Sequence, residues 1–456
     1  MCIPTKNERS IHSPDWFTMG SIYQINPRTF SPEGTIAAVT KELPFLKELG
    51  FTVMYLCPIF EEDDSDDPTY LSPRQLASQT GNPKNPYRMN DYFKIDSEYG
   101  TIDDLREFVA EAHRLGLRVM LDLVYLHIGP NAPIIKEHPE FAQHDENGNM
   151  RLTKWKFPYL NFENAGLREY LWCNMTYYVG AFGVDGFRCD VGDKVPLDFW
   201  VEGRRRITAI KPDAVLLVEG IKVDYLEQAF DSCYHFAWHG RMYKAFAKED
   251  GITAADVRQC HEEFAAKIPR DAFVMHDIDN HDTVTDRAQR VEIFAGHDGM
   301  ELIEVLNYTI DGVPMIYCGN ELCDEATINM FANRFYMGKF EITDRSDAKK
   351  NEPAVLRRLA VMRALNTLKA TSEILRDGET VWIDNTEPEK VLSFMRVVDS
   401  GKIVTVGNIS SDPVTVKLSG VDLNNRYKVI LESEARAEIK GDTLVIPSHG
   451  YIVAEL

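Results

Sequence analysis

Short apolar runs alternate with amphipathic stretches through the first 375 residues of the chain. The runs SIYQI (21–25), VMYLC (53–57), RVMLDLV (118–124), GFRCDV (186–191), AVLLVEG (214–220), FVMHDID (273–279) and VPMIYCG (313–319) are rich in β-branched and aromatic residues. Runs of that length and composition predict buried strands. The helices between them have readable ends. Thr101-Ile102-Asp103-Asp104 has the form of a capping box, Leu105, Phe108, Val109, Ala112 and Leu115 make an apolar stripe, and Gly116 ends the helix. Val355, Leu359 and Met362 mark a further helix. Alternation on this scale requires parallel strands joined by crossover helices. Seven clear strands, with an eighth at CYHF (233–236), predict a (β/α)8 barrel rather than an open sheet.

Two regions depart from that rhythm. Residues 128–165 contain PNAP, HPEF, DENGN and KWKFPYLNF, a turn-rich excursion inserted after the third strand. After residue 376 the period falls to two, with Val414, Val416 and Leu418 alternating with Thr415, Lys417 and Ser419. The expected organisation is therefore a barrel over residues 1–375, including the excursion, and a C-terminal antiparallel β-sandwich over 376–456.

Composition narrows the class of function. The chain carries 50 Lys and Arg against 71 Asp and Glu, a net charge of −21. Nucleic acid and anionic membrane surfaces both require a positive face, so neither is expected as a partner. No run approaches the ~18 apolar residues of a membrane span. The opening MCIPTKNERSIHSPDW lacks the apolar core of a signal peptide, which predicts a cytoplasmic location. The eight cysteines (2, 57, 173, 189, 233, 260, 318 and 323) include no Cys-x-x-Cys pair and are expected as free thiols. Oligomeric state is left open by the sequence.

Barrel active sites form where strands end at the C-terminal face, so polar strand ends are the candidates. Strand three ends in Asp122-Leu-Val-Tyr-Leu-His127, strand four in Gly186-Phe-Arg188-Cys-Asp190 and strand five in Val218-Glu219-Gly220. Strand seven runs into Asp279-Asn280-His281-Asp282-Thr283. Arg188 and Asp190 face the same way in a strand, and a guanidinium favours the ionised carboxylate that a nucleophile needs. The same pair would equally serve as an interior ion pair. Glu219 follows an apolar run and is expected to hold a proton more firmly, as an acid does, or else to bond a loop at the strand end. Asp282 adds a third carboxylate; His276-Asp277 offers another register, and the full Asn-His-Asp-Thr context favours Asp282. Carboxyls of split protonation around a sugar oxygen are what glycoside hydrolysis requires. The acidic run 61–67 could border the cleft or hold a cation, but a solvated loop is the favoured expectation. Trp155, Phe157, Tyr159 and Trp238 are candidates either for stacking on sugars or for the core.

Taken in order, these four strand ends resemble the signature regions of the α-amylase family of glycoside hydrolases. IYQINPRTF (22–30), PYRMNDYFKIDSEYGT (86–101), HPEF and DENGN in the excursion, and GVPMIYCGNE (312–321) extend the resemblance over almost the whole chain. The resemblance implies a (β/α)8 barrel with an excursion after strand three and a C-terminal β-sandwich, as the pattern does. It also implies roles. Asp190 matches the nucleophile, Glu219 the general acid/base, and Asp282 the carboxylate that orients hydroxyls of the sugar at the cleavage site. Arg188, His127 and His281 match groups contacting that sugar, and Tyr87 matches the aromatic platform beneath it. The implied reaction is double displacement with retention, cleaving α-1,4-glucosidic bonds of maltodextrin- and starch-type oligosaccharides through a glycosyl-Asp190 intermediate, with no cofactor required. A transglycosidase or glucosyl isomerase would use the same intermediate. A non-catalytic amylase-like binding module would have lost the carboxylates present here.

Two departures from the family pattern carry consequences. Members usually have Asn directly before the first-region histidine, where it ligates a structural calcium; here Leu126 stands there. No metal ligand is therefore assigned, and a calcium site would have to be rebuilt from other oxygens. Many α-amylases also carry Lys-His after the nucleophile. Here Val191-Gly192-Asp193-Lys194-Val195-Pro196 has no histidine, which shifts the expected substrate from long starch chains towards short maltodextrins.

Overall fold

The computed structural model describes residues 11–269, 271–287, 289–336, 342–421, 427–440 and 443–456. Eight parallel strands close into a barrel: β1 (Ile22–Ile25), β2 (Val53–Leu56), β3 (Arg118–Leu123), β4 (Gly186–Cys189), β5 (Val215–Val218), β6 (Ser232–Tyr234), β7 (Phe273–His276) and β8 (Val313–Tyr317). Hydrogen bonds from β1 to both β2 and β8 complete the circle. Every strand expected from the pattern is present, and the weak CYHF run forms the sixth.

Strand parity decides what reaches the barrel mouth. Val53, Tyr55, Met120, Val215, Leu217, Tyr234, Met275, Val313 and Met315 pack together inside the barrel. Their sequence neighbours Met54, Leu56, Val119, Leu121, Leu216 and Val218 pack outward against the helices. Successive side chains alternate between faces, so Asp122 continues the inward series from Met120. Arg188 lies in register with both Asp122 and Leu217. Asp190 and Glu219, just past the ends of β4 and β5, continue that series at the C-terminal rim. Gly186 lets β4 and β5 approach this closely, because a Cβ there would stand 2.5 Å from the Val215 carbonyl oxygen.

The flanking helices follow their sequence signals. The helix Ile102–Arg114 starts at the predicted box, with Thr101 Oγ1 accepting from the Asp104 N–H and the Asp104 carboxylate accepting from the Thr101 N–H. Leu105, Phe108, Val109 and Ala112 are its buried face. The helix Pro353–Thr371 buries Val355, Leu359 and Met362.

Past Asp377 the strands are antiparallel. A five-stranded sheet runs in the order Glu379–Trp382, Val391–Val398, Gly401–Asn408, Tyr451–Glu455, Lys428–Glu432. A three-stranded sheet orders Val414–Val416, Thr443–Ile446, Glu438–Lys440. Val414, Val416 and Leu418 turn inward against Val404, Val406 and Ile452 of the larger sheet, while Thr415, Lys417 and Ser419 are exposed.

The excursion after β3 contains the short helix Pro133–Glu137 and antiparallel bridges joining His127 to Tyr159 and Ala142 to Leu160. A second excursion, which the strand pattern did not signal, follows β2. Its base is a hairpin of Phe60–Glu62 with Met89–Ile95, and its tip carries the short helix Pro73–Ser78. This corrects the reading of the acidic run 61–67. Glu62 and Asp63 are buried, while Glu61 and the later residues of the run reach solvent. Glu62 accepts from Arg28 Nη2 and the Tyr99 hydroxyl, each at 2.6 Å; Asp63 accepts from the backbone N–H groups of Ser65 and Asn131. Backbone turns and a buried guanidinium, not water, satisfy these two carboxylates.

Among the described residues no helix is long and apolar enough to cross a membrane. Cysteines 57, 173, 189, 233, 260, 318 and 323 are free thiols, and Cys2 lies outside the described residues.

Candidate active site

A cleft lies at the rim where β3, β4, β5 and β7 end, and Asp190, Glu219 and Asp282 all line it. Tyr87, His127, Trp155, Phe157, Met330 and Phe331 supply its aromatic and apolar walls. Such a surface, apolar in patches and studded with carboxylates, matches a ring with apolar faces and a rim of hydroxyls.

Arg188 organises the floor. Its Nη1 donates to Asp122 Oδ1 (2.8 Å) and to Asp190 Oδ1 (2.9 Å), while Nη2 donates to Glu219 Oε2 (2.6 Å). Buried among these acids, Arg188 stays charged, because the carboxylates outweigh its loss of hydration. Burial pushes the Asp190 carboxyl well above its ordinary range; Arg188 opposes the rise, while Glu219, Asp122 and Asp282 add to it. The sequence reading of Glu219 as a carboxyl in apolar surroundings therefore needs correction. Its Oε2 accepts from Arg188 and also from the Val191 N–H at 2.8 Å. Val191 aims that N–H from a left-handed backbone (φ 42°), costly for a β-branched residue at about 1–3 kcal/mol. Backbone strain thus sits directly after Asp190 and serves Glu219.

Tyr87 lines the cleft and stacks on His281, with ring centroids 5.2 Å apart. Their protons can be assigned from the partners. The His281 backbone N–H donates to Gln24 Oε1, which fixes that amide so that Gln24 Nε2 donates to His281 Nδ1 at 2.9 Å. His281 then carries its proton on Nε2 and donates to the Tyr87 hydroxyl at 2.7 Å. The Tyr87 hydroxyl donates onward to Asp122 Oδ2 at 3.1 Å. Burial lowers the His281 pKa, which keeps this neutral tautomer. His127 is likewise neutral: burial lowers its pKa to about 4, and its Nε2 donates to the Tyr87 carbonyl at 2.8 Å. Trp155 and Phe157 pack on the His127 ring at 5.7 and 5.1 Å.

Asp282 enters differently, from the first turn of the helix His281–Asp286, whose N-terminus Asn280 caps through Oδ1. Arg74 Nη1 donates to Asp282 Oδ1 at 2.7 Å. Partial burial works upward on Asp282, but the His281 imidazole beside it and the positive charges of Arg74 and Arg188 outweigh it and hold this carboxyl well below its ordinary range. Of the two registers considered, Asp282 lines the cleft; Asp277 is taken up by His239 Nδ1 and Asn280 Nδ2.

The structure thus gathers Tyr87, His127, Arg188, Asp190, Glu219, His281 and Asp282 at one place. Sequence reasoning missed Ser72, Arg74, Asn85, Met330 and Phe331, which also line the cleft. Arg74 stands on the unforeseen excursion, and no local motif marks it. Trp238 is not at the cleft: it is buried in the core and donates from Nε1 to Asn307 Oδ1. Leu126 packs its side chain into the core, and its carbonyl accepts from the Leu160 N–H at 3.2 Å. An aliphatic side chain gives calcium no ligand, so the residue at this position does not fit the ion that the family holds there. One other group among the described residues, Glu292 with His297 and Cys323, has metal-ligand chemistry. Arg358 pairs with Glu292 at 3.2 Å, a fixed cation already in place, and we assign no metal there.

Known proteins resemble this chain in sequence and in fold. The family model described as "Alpha amylase, catalytic domain" matches residues 13–147 and 140–359. The chain is 23% identical to a cyclomaltodextrinase of Geobacillus thermopakistaniensis over 97% of its own length and 77% of the relative's. It is 24% identical to an alpha-1,4-glucan:maltose-1-phosphate maltosyltransferase of Picrophilus torridus, over 92% of this chain and 66% of that one. Among solved structures, a maltogenic alpha-amylase of Thermotoga neapolitana superposes with a TM-score of 0.79 at 26% identity, covering 97% of this chain and 99% of the other. With its barrel, its strand-end carboxylates and a family match over most of the barrel, the chain belongs to the α-amylase family of glycosidases.

Proposed function

We propose that the protein is a retaining glycosidase that cleaves α-1,4-glucosidic bonds in short maltodextrins. The observation that carries this reading is Asp190 and Glu219 held against the two ends of one guanidinium inside the cleft. One guanidinium spanning both supports the close pair, about 5–5.5 Å apart, that a direct nucleophile requires, rather than the ~6.5–9.5 Å of an inverting pair.

In the first step Asp190 attacks the anomeric carbon while Glu219 gives its proton to the departing glycosidic oxygen. One C–O bond forms to Asp190 as the other breaks. In the second step Glu219 takes a proton from water, which attacks the same carbon and releases Asp190. Asp282, ionised by its cationic neighbours, is suited to receive hydroxyls of the sugar as positive charge develops on the ring. Asp190 must be ionised for the first step, and its carboxyl is shifted upward. Activity should therefore fall on acidification at a pH above the ordinary aspartate range.

Interception of the glycosyl-enzyme by a sugar hydroxyl is the competing outcome. The similarity to a maltosyltransferase and the apolar Met330 and Phe331 in the cleft wall favour considering it. Incubation with maltotetraose, followed by chromatography, should give maltose, glucose and maltotriose from the earliest times. Early appearance of oligomers longer than the substrate would replace hydrolysis by transfer.

We further propose that catalysis and stability do not depend on calcium, on the strength of Leu126 at the usual ligand position. Chelation should leave the Tm in place. A drop of about 5 °C or more would reveal a structural cation held by other oxygens.

A further inference from the structure

We propose that Arg74, anchored by Asp286, is a positioning residue that sets the orientation of the Asp282 carboxylate for the reaction. The proposal rests on the reading of Asp282 given above. Arg74 makes three contacts along one turn of the helix that carries Asp282. Nη1 donates to Asp282 Oδ1 at 2.7 Å, Nη2 to the Asp282 carbonyl at 3.4 Å and Nε to Asp286 Oδ1 at 2.7 Å. Asp282 and Asp286 are four residues apart on one helix face, where two like charges repel. A planar guanidinium between them turns that repulsion into a two-sided anchor with fixed geometry. Asp282 Oδ1 is thereby occupied, and Oδ2, which His281 Nε2 approaches only to 3.6 Å, remains for a ligand hydroxyl.

The segment bearing Arg74 is braced well enough to transmit that geometry. Ser72 Oγ caps the short helix by accepting from the Gln75 N–H. Gln75 Nε2 donates to the carbonyls of Asn82 and Pro83. Beneath them Arg88, wholly buried, donates to the carbonyls of Asp63, Ser65, Tyr70 and Pro83. Arg88 thus ties this loop through four backbone carbonyls, with the buried Asp63 carboxylate 3.6 Å away as its counter-charge. The excursion after β2 therefore works as a rigid arm whose tip is Arg74.

The test is a double-mutant cycle on the full-length enzyme, with maltotetraose and with an aryl α-maltoside, whose leaving group needs little protonation. Arg74→Ala should lower kcat about 10–100-fold with little change in KM. Arg74→Lys should recover only part of the loss, and added guanidinium ions should partly rescue Arg74→Ala but not the wild type. In an Asp282→Asn background Arg74→Ala should cost almost nothing further, because the group it positions is gone. The proposal is overturned if Arg74→Ala stays within twofold of wild type, or if the two losses multiply. Asp282→Asn with near-wild-type turnover would instead remove the reading of Asp282 itself. A Tm for Arg74→Ala within a few degrees of wild type separates positioning from unfolding.

Discussion

Asp190→Asn and Glu219→Gln should each lower kcat on maltotetraose by at least ~10³-fold. Neither should lower the Tm, and Asp190→Asn should raise it. The activity loss follows from the roles: one variant has no nucleophile, the other no proton to give. The stability gain follows from charge. Asp190 sits beside Asp122, Glu219 and Asp282, and its ionised form is disfavoured in the folded state. A carboxyl whose folded pKa is raised binds more protons folded than unfolded, so it subtracts stability as the pH climbs through that window. An amide of the same shape removes that penalty, and Arg188 keeps Asp122 and Glu219 as partners. The two variants should also separate on an aryl α-maltoside. Glu219→Gln should keep a fast first step there, since the leaving group departs without protonation, whereas Asp190→Asn should stay inactive. Calorimetry and burst kinetics read both effects. A large fall in Tm for Asp190→Asn would return Asp190 to the interior ion pair that its spacing from Arg188 equally allows. Near-wild-type turnover in both variants would dismiss the site.

The barrel was legible because strand periodicity is local information. Val215 to Val218 announce a strand, and parity then carries Glu219 to the rim without any knowledge of the fold. Even the short β6 left a trace in CYHF, although it has only three residues between the preceding and following strands. The environment of Glu219 was not legible, since the Arg188 and Val191 groups that reach it come from another strand and from a strained turn. Arg74 lies 208 residues from the carboxylate it holds. Its helix is a capped run of six residues in a largely polar segment, and nothing in 63–86 foretells that its partner is Asp282. Trp238 shows the opposite limit: an aromatic residue in a sugar-active barrel, spent on the core because Asn307 satisfies its indole N–H. Charge runs mislead for a related reason. Glu62 and Asp63 are polar by type, yet buried guanidinium and backbone donors make burial affordable for them.

Arg28→Met should destabilise the protein by about 3–5 kcal/mol near neutral pH, because it strands buried acids rather than removing a pair. Arg28 is fully buried after β1, and its Nη2 meets both Glu62 oxygens at 2.6 and 2.7 Å while Nε donates to Glu98 at 3.1 Å. Methionine fills the volume and leaves Glu62 with the Tyr99 hydroxyl, a neutral donor. The deficit should depend on pH with a definite sign. Burial already lifts the Glu62 pKa to about 7 even with Arg28 pulling it down. Without Arg28 it rises further, so Glu62 would fold as the protonated acid. A carboxyl with a raised folded pKa loses stability as the pH rises from its unfolded value through its folded one. The gap between variant and wild type should therefore be smaller at pH 5.5 and widen towards pH 8, as urea midpoints at the two pH values would register. Equal gaps at both, or a deficit under about 1 kcal/mol, would mean that Arg28 is not the counter-charge of Glu62. The same guanidinium donates from Nη1 to the Met330 carbonyl at 3.1 Å, and Met330 is a wall of the cleft. Arg28→Met should accordingly lower kcat/KM even at temperatures where the variant is fully folded, because the ion pair under the excursion after β2 and the cleft wall at Met330 share one side chain.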